Sequence, residues 1–258
     1  MSIKILCLGD IVGNLGTNKV CRELWEVRRR LNIDLVVANG ENAEPGNGLL
    51  RSTADRLLAY GVDVITSGNH IWQKKEMHSY LDECKYILRP ANYPDRTPGG
   101  GAVLFDADGR RVLVMNVQGT VFMESLADPF DTVDRLLERY KGEYDLSVLD
   151  IHAEATSEKI ALARYFDGRI NVIVGTHTHV QTADEQILPQ GSGYITDLGM
   201  CGVQSGVLGV DAGCVINKFR TKMPTKFLHA EGDPICYGAI FDINDKNGKV
   251  EHVERVQF

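Results

Sequence analysis

Side chains able to bind a metal ion follow five short apolar runs of this chain. Asp10 comes directly after ILCLG, Glu41 and Asn42 close the run LVVANG, and Asn69 and His70 follow DVITSG. His152 follows LSVLDI, and His177 and His179 follow NVIVGT. With His70 set aside, the set is two carboxylates, two amides and three imidazoles. A mixed oxygen and nitrogen set without thiolate suits manganese, iron, zinc or nickel better than a structural zinc cage or a calcium site. One shared carboxylate with three ligands on either side is the inventory of a two-metal centre. In such a centre ions ~3.5–4 Å apart activate a water and clamp a phosphoryl group. His177 and His179 are two apart, so an extended chain would turn both imidazoles to one side. Asn69 and His70 are adjacent and would point apart, one ligating while the other stands over a substrate. Each piece alone has a plainer reading: Gly68-Asn69-His70 as a turn, Asp10 as a helix cap, Glu41-Asn42 as a loop closure, His152 as a hydrogen-bonded half-buried histidine. Their joint placement at the ends of five apolar runs outweighs those readings. His78, His229 and His252 lack such a context and read as surface or packing residues.

The elements that must position this set alternate along the chain. Strands are predicted over Ile3–Leu8, Asp34–Ala38, Val62–Thr66, Leu146–Asp150 and Asn171–Val174, each apolar enough to be buried on both faces of a parallel sheet. Helices are predicted over Asn18–Leu31, Ser52–Tyr60, Lys75–Glu83, Pro129–Lys141 and Ser157–Phe166, with Ser52 and Ser157 as N-caps and Pro129 in a first turn. Hairpins are expected at Ala102–Phe105 with Val112–Asn116 and at Tyr237–Ile243 with Val250–Val256. Strands alternating with helices, plus antiparallel hairpins, indicate a layered α/β fold. In open α/β sheets the carboxyl edge of the strands is where sites form. No Pro-, Gly- or Ser-rich linker divides the chain, so residues 1–258 read as a single domain.

Composition narrows the partners. The chain has 258 residues, 43% hydrophobic and 24% charged, close to the globular average, which argues against bulk disorder. A net charge of −7 argues against gripping a polynucleotide backbone, though not against one small anion held by a local cationic centre. The six cysteines form no CxxC pair, and Cys7 and Cys236 read as small core residues. The first apolar run meets Asp10 too early for a signal peptide, and no stretch nears the ~18 apolar residues of a membrane span. A cytoplasmic protein without membrane partners is the expectation.

Nucleotide-binding motifs fit less well. Gly9–Gly16 follows a strand and precedes a helix, but the first glycine of a dinucleotide fingerprint would fall on Ile11, and Asp10 would repel a pyrophosphate. No P-loop pattern occurs. Pro45-Gly46-Asn47-Gly48 reads either as an adaptable loop near Glu41 or as a surface turn.

The stretches GDIVG, ANGENA, SGNHIWQKKE, LRPANYP, DIHAEATSEK, GTHTHVQTADE and ITDLGMCG, spanning residues 9–202, resemble the calcineurin-like metallophosphoesterase superfamily. More closely they resemble its bacterial YmdB-like 2',3'-cyclic-nucleotide 2'-phosphodiesterase branch. Against the wider superfamily, D-x-H is here Asp10-Ile11-Val12, G-D carries Glu41, and G-H-x-H is lengthened to Gly175-Thr176-His177-Thr178-His179. The branch shares those departures, with an amide, here Asn42, replacing the lost histidine. Cys201–Ser205 departs from the branch's usual loop. The resemblance implies a layered α-β-β-α sandwich of mixed sheets flanked by helices. It implies one metal on Asp10, Glu41, Asn42 and His179 and a second on Glu41, Asn69, His152 and His177. His70 would be the unliganded general acid. The ions would be two divalent or trivalent transition metals, iron first, manganese or zinc otherwise. The implied reaction is hydrolysis of small cyclic nucleotides, 2',3'-cyclic to 3'-nucleotides, with 3',5'-cyclic AMP a further substrate. A homo-oligomer is expected. A metal-dependent phosphomonoesterase or phosphoprotein phosphatase is the alternative, and a non-catalytic regulatory scaffold stands further behind.

Overall fold

Side-chain alternation builds the layers. The computed structural model describes residues 2–258. Along β1 (Ser2–Leu8), Ile3, Ile5 and Cys7 enter one apolar cluster while Leu6 and Leu8 enter another. The same split runs through β3 (Leu35–Asn39), β4 (Val64–Thr66), β7 (Leu146–His152) and β8 (Val172–Thr176). Strands buried on both faces need a layer on each side.

In the first sheet β1 pairs parallel with β3 and β3 with β4, while the long β12 (Pro234–Asn244) runs antiparallel to β1. β12 also carries β13 (Val250–Gln257) and β11 (Met200–Val203), and the two-residue β2 (Asp10–Ile11) lies parallel to β11. In the second sheet β5 (Ala102–Ala107) hairpins onto β6 (Arg110–Gln118). From there β6, β7, β8 and β10 (Gly193–Ile195) run parallel, and β9 (Gln186–Ile187) closes the edge antiparallel to β10. The sheets stack face to face through Ile5, Val37, Val114, Val148, Val174 and Phe241. Helices α1 (Gly13–Leu31), α2 (Arg51–Ala59) and α3 (Met77–Glu83) cover the first sheet. Helices α4 (Pro129–Arg139) and α5 (Thr156–Phe166) cover the second. The four layers are the expected α-β-β-α sandwich, and both hairpins form. Helix α6 (Ala212–Thr221) stands apart, with only Val215 buried. No helix among the described residues is long and apolar enough to cross a membrane.

Several local expectations are corrected. Neither Ser52 nor Ser157 caps a helix: α2 and α5 start one residue earlier, after Leu50 and Ala155, so both serines lie inside the first turn. Asp128 does cap α4, its Oδ1 accepting the Asp131 N–H at 3.0 Å, with Pro129 next as expected. Helix α1 begins at Gly13, five residues before Asn18, directly after β2. The short strands β2, β9, β10 and β11, and α6, were not anticipated. Cys7 and Cys236 are buried as expected, and all six cysteines are free.

The layer between the sheets is apolar at one end and polar at the other. Asn39, Thr66, Asn116, Asp150 and Thr176 continue the rows begun by Leu35, Val64, Val112, Leu146 and Val172, two residues apart along each strand. All five are buried. Registers Asn39↔Thr66, Asn116↔Asp150 and His152↔Thr176 bring the strand ends level. Phe241 is fully buried in the apolar part. Phe241→Ala should therefore destabilise the protein by about 3–5 kcal/mol in urea unfolding, and a loss below 1 kcal/mol would mean the sheets do not pack through it.

Candidate metal centre

The polar end of that layer holds the side chains expected to bind metal. Asp10 and Glu41 are fully buried and Asn42 nearly so. Oε1 of Glu41 lies 3.1 Å from His152 Nε2, 3.1 Å from His70 Nδ1 and 3.1 Å from the Asn42 amide nitrogen. Its Oε2 accepts the backbone N–H of His70 at 2.9 Å. Asp10 Oδ2 accepts the N–H of His177 at 3.0 Å, and its Oδ1 lies 3.6 Å from His179 Nε2. Gly68 is required between β4 and this group, because a Cβ there would overlap the His152 ring and the Glu41 carboxylate.

Three histidines each have one nitrogen tied and the other turned inward. His152 Nδ1 lies 2.9 Å from Thr176 Oγ1, which donates to Asp150 Oδ1 at 2.8 Å. The Thr176 oxygen therefore accepts from His152 Nδ1–H, which turns Nε2 toward Glu41. His177 Nε2 meets Glu154 at 3.2 Å, leaving Nδ1 facing His152 Nε2 at 3.0 Å. His179 Nδ1 reaches the Leu208 carbonyl at 3.1 Å, leaving Nε2 toward Asp10 and Asn42. Fixing the tautomer through the remote nitrogen is how proteins aim imidazoles at metal ions. Asp150, Thr176 and Glu154 escaped the sequence reading. Asp150 and Thr176 could have been found from strand alternation, whereas nothing local marks Glu154.

Charge directions follow from burial and neighbours. Burial alone would raise both site carboxyls, but His179 holds Asp10 below the usual range, and His152 with His70 hold Glu41 well below it. Burial would lower His152, yet the Glu41 carboxylate overrides it and lifts the group to about 9. Burial, with the charge of His152 adding to it, pushes His177 down to about 4, and Asp10 raises His179 against burial. Asp150, surrounded by neutral donors, is pushed up by burial to about 6.

His177 and His179 do not share one side, contrary to the extended-chain expectation. β8 ends at Thr176, and both histidines take left-handed backbone angles, φ 97° and 62°. Such angles are uncommon outside glycine and need support. It comes from Asp197, whose Oδ2 accepts Thr178 N at 3.2 Å, Thr178 Oγ1 at 2.7 Å and the buried Lys159 ammonium at 2.7 Å. The turn sends His177 toward His152 and His179 toward Asp10, dividing the imidazoles between two groups.

The residues fit metal ions on three observations. Asn69 Oδ1 is buried with no hydrogen-bond partner, an orphaned acceptor that a cation would satisfy. The Asn42 amide meets Glu41 Oε1, His179 Nε2 at 3.2 Å and Asp10 Oδ1 at 3.5 Å, three electron-pair donors converging on one point. A half-turn of that amide exchanges its oxygen and nitrogen, presenting oxygen to a cation and N–H to His70. Glu41, His152 and His177 also bring ligand atoms within 4.8 Å of one another.

A cavity of about 550 Å³ opens over the centre, lined by Asn42, His70, His177 and His179 on its polar side. Asn47, from the Gly-rich loop, also lines it and lies 3.3 Å from His70 Nε2, so that loop is part of the site wall. Leu208, Phe227, Leu228 and His229 also line the cavity, so His229, half-buried with its ring against Gly13 as a packing residue would be, has a place in the cavity wall as well. His78 instead packs on Trp72, and His252 is exposed.

The sequence profile of the YmdB-like protein family matches residues 6–256. A 2',3'-cyclic-nucleotide 2'-phosphodiesterase of Bacillus subtilis (strain 168) is 42% identical over 254 residues, covering 98% of this chain and 96% of that protein. The crystal structure of a novel phosphatase from Mycoplasma pneumoniae is 33% identical with TM-score 0.94, covering 100% of this chain and 94% of the other. A hypothetical protein of Thermus thermophilus is 38% identical with TM-score 0.93, covering 99% of both chains. Thr176→Val keeps the shape of the buried side chain and deletes the hydroxyl that aims His152. It should weaken metal binding about 10- to 100-fold in titrations of chelator-stripped protein, with circular dichroism unchanged. Unaltered affinity would show that the hydroxyl does not orient the ring.

Proposed function

The chain belongs to the YmdB-like protein family and is a phosphoester hydrolase, and on that premise we propose that it opens the cyclic phosphate of small 2',3'-cyclic nucleotides to give 3'-nucleotides, with 3',5'-cyclic AMP as a further substrate. The observation that carries the reading is Glu41, whose buried carboxylate stands between the Asn42 amide and the His152 ring, beneath a nucleotide-sized cavity lined by Asn42, His177 and His179. Asp10, Glu41, Asn42 and His179 would hold one ion, and Glu41, Asn69, His152 and His177 the other. Donors that are all oxygen or imidazole nitrogen suit iron, with manganese or zinc as substitutes. Held by these residues, two such ions would supply Lewis acidity at the phosphoryl oxygens and a water acidic enough to attack near neutral pH.

The remaining work falls to the protein's own groups. His70 lines the cavity with a partly exposed ring, and the Asn42 amide, turned to offer its oxygen to a cation, would donate its N–H to His70 Nδ1. With Nδ1 occupied in that way, Nε2, on the cavity side near Asn47, would carry the proton that the departing oxygen needs. One water adds to phosphorus, the P–O2' bond breaks, and the 2'-oxygen takes a proton, leaving a 3'-phosphomonoester. Leu208, Phe227 and Leu228 give the cavity an apolar wall on which a base can rest while water is kept from the phosphate. Asp10 and Glu41 exclude a second anion from the floor unless cations neutralise them, which ties substrate binding to metal loading.

His70→Ala should keep metal content while lowering turnover of 2',3'-cyclic nucleotides by ~10²-fold or more, measured by elemental analysis beside steady-state rates. Full activity in the variant would remove His70 from the mechanism. On metal-loaded enzyme, a panel of cyclic nucleotides and phosphomonoesters should show preference for the cyclic diesters, abolished by chelation and restored by metal. Preference for monoesters would overturn the substrate assignment.

A further inference from the structure

The segment that contributes Phe227, Leu228 and His229 to the cavity wall reverses the charge of the rest of the molecule. In a chain of net charge −7, residues 212–230 contain Lys218, Arg220, Lys222 and Lys226 and no aspartate or glutamate. All four cations are exposed, and among the described residues none of them forms an ion pair. The same segment exposes aromatic and apolar faces: Phe219 is 65% exposed, Met223 62% and Phe227 46%. It is continuous with the site, because Phe227 lines the cavity and the Lys218 ammonium sits over its ring, 4.9 Å from the centroid.

We infer that the basic, aromatic segment around α6 binds single-stranded RNA and leads its 3' end into the cavity, so that the 2',3'-cyclic phosphate terminating an RNA chain is a substrate alongside the free nucleotide. The inference rests on the cyclic-phosphate reading of the site. The 2' and 3' oxygens carry the reacting phosphate, while the 5' oxygen takes no part, so a polynucleotide can continue from it out of the cavity. The bond changes are those of the free nucleotide: water adds at phosphorus, P–O2' breaks, and the 2'-oxygen is protonated. Cations interleaved with aromatic faces match the backbone and bases of a single strand, which need charge neutralisation and stacking together. A second copy of the chain fits this surface less well, since a two-fold contact sets the same unpaired cations against themselves.

The test uses a decaribonucleotide ending in 2',3'-cyclic phosphate, the matching cyclic mononucleotide, and a labelled decamer ending in 3'-phosphate whose binding is read by anisotropy without turnover. The variant is Arg220→Gln/Lys222→Gln/Lys226→Gln, none of which lines the cavity. Wild-type protein should bind the labelled decamer with strong salt dependence and process the cyclic decamer ~10-fold more efficiently than the mononucleotide at low salt. The variant should lose that advantage, flatten the slope of log affinity against log salt by about 2, and keep its mononucleotide rate. Equal decamer binding by both proteins, or binding insensitive to salt, overturns the inference whatever the mononucleotide rate. So does a surface that instead mediates self-association in sedimentation, or anionic-vesicle binding, without retaining the decamer. Mononucleotide turnover separately decides the cyclic-phosphate reading: its failure while the decamer still binds through these cations condemns that reading and leaves the RNA surface standing.

Discussion

Asp10, Glu41 and Asp150 lie within one region from which water is excluded, and the rest of the centre is arranged around that constraint. A buried carboxylate loses several kcal/mol of hydration unless neighbours replace it. Two solutions are used side by side. Asp150 is met by hydroxyls and an amide, Thr66 Oγ1 at 2.5 Å, Thr176 Oγ1 at 2.8 Å and Asn39 Nδ2 at 3.3 Å, and its carboxyl rises to about 6. Asp10 and Glu41 are met chiefly by imidazoles, and their carboxyls fall. The neutral solution suits a group that only orients His152. The charged solution suits groups whose lone pairs must stay available to a cation.

The fold supplies this region by changing chemistry along a row rather than by adding a loop. Each parallel strand keeps its alternation to its end, and the face that is leucine and valine at the start becomes asparagine, threonine and aspartate at the finish. Donors from both sheets cross the gap, as when Thr66 and Asn39 of the first sheet reach Asp150 of the second. Polar networks in an interior hold one geometry because any displacement leaves a group unpaired. Lys159 and Asp197 extend the same logic to the strained turn at His177 and His179.

Much of this was legible in advance because it depends on local period. The buried parallel strands, both hairpins and five helices followed from apolar runs, and the ligand-type residues stood at the strand ends. Helix starts were misplaced where serine suggested a cap, because Arg51 and Thr156 already begin the helices and the serine side chains were not needed there. Strands of two to four residues, such as β2 and β11, carry too little pattern to be seen and exist only through their partners. His229 gave no signal, since its place on the cavity wall depends on how the segment after Met200 comes to share one cavity with Asn47 and His70.

By itself the sequence determined the composition of the centre and the edge of the sheets at which it forms, because strand period and side-chain chemistry are local properties. Only the tertiary structure decided how the parts meet. It parted His177 from His179 through two left-handed residues and gave each histidine its remote hydrogen-bond partner. It also left Asn69 Oδ1 without one and carried a cationic segment to the cavity mouth of an acidic protein. Those outcomes depend on contacts between residues far apart in the chain, and burial, which converts each contact into a large energy, exists only once both sheets have closed on one another.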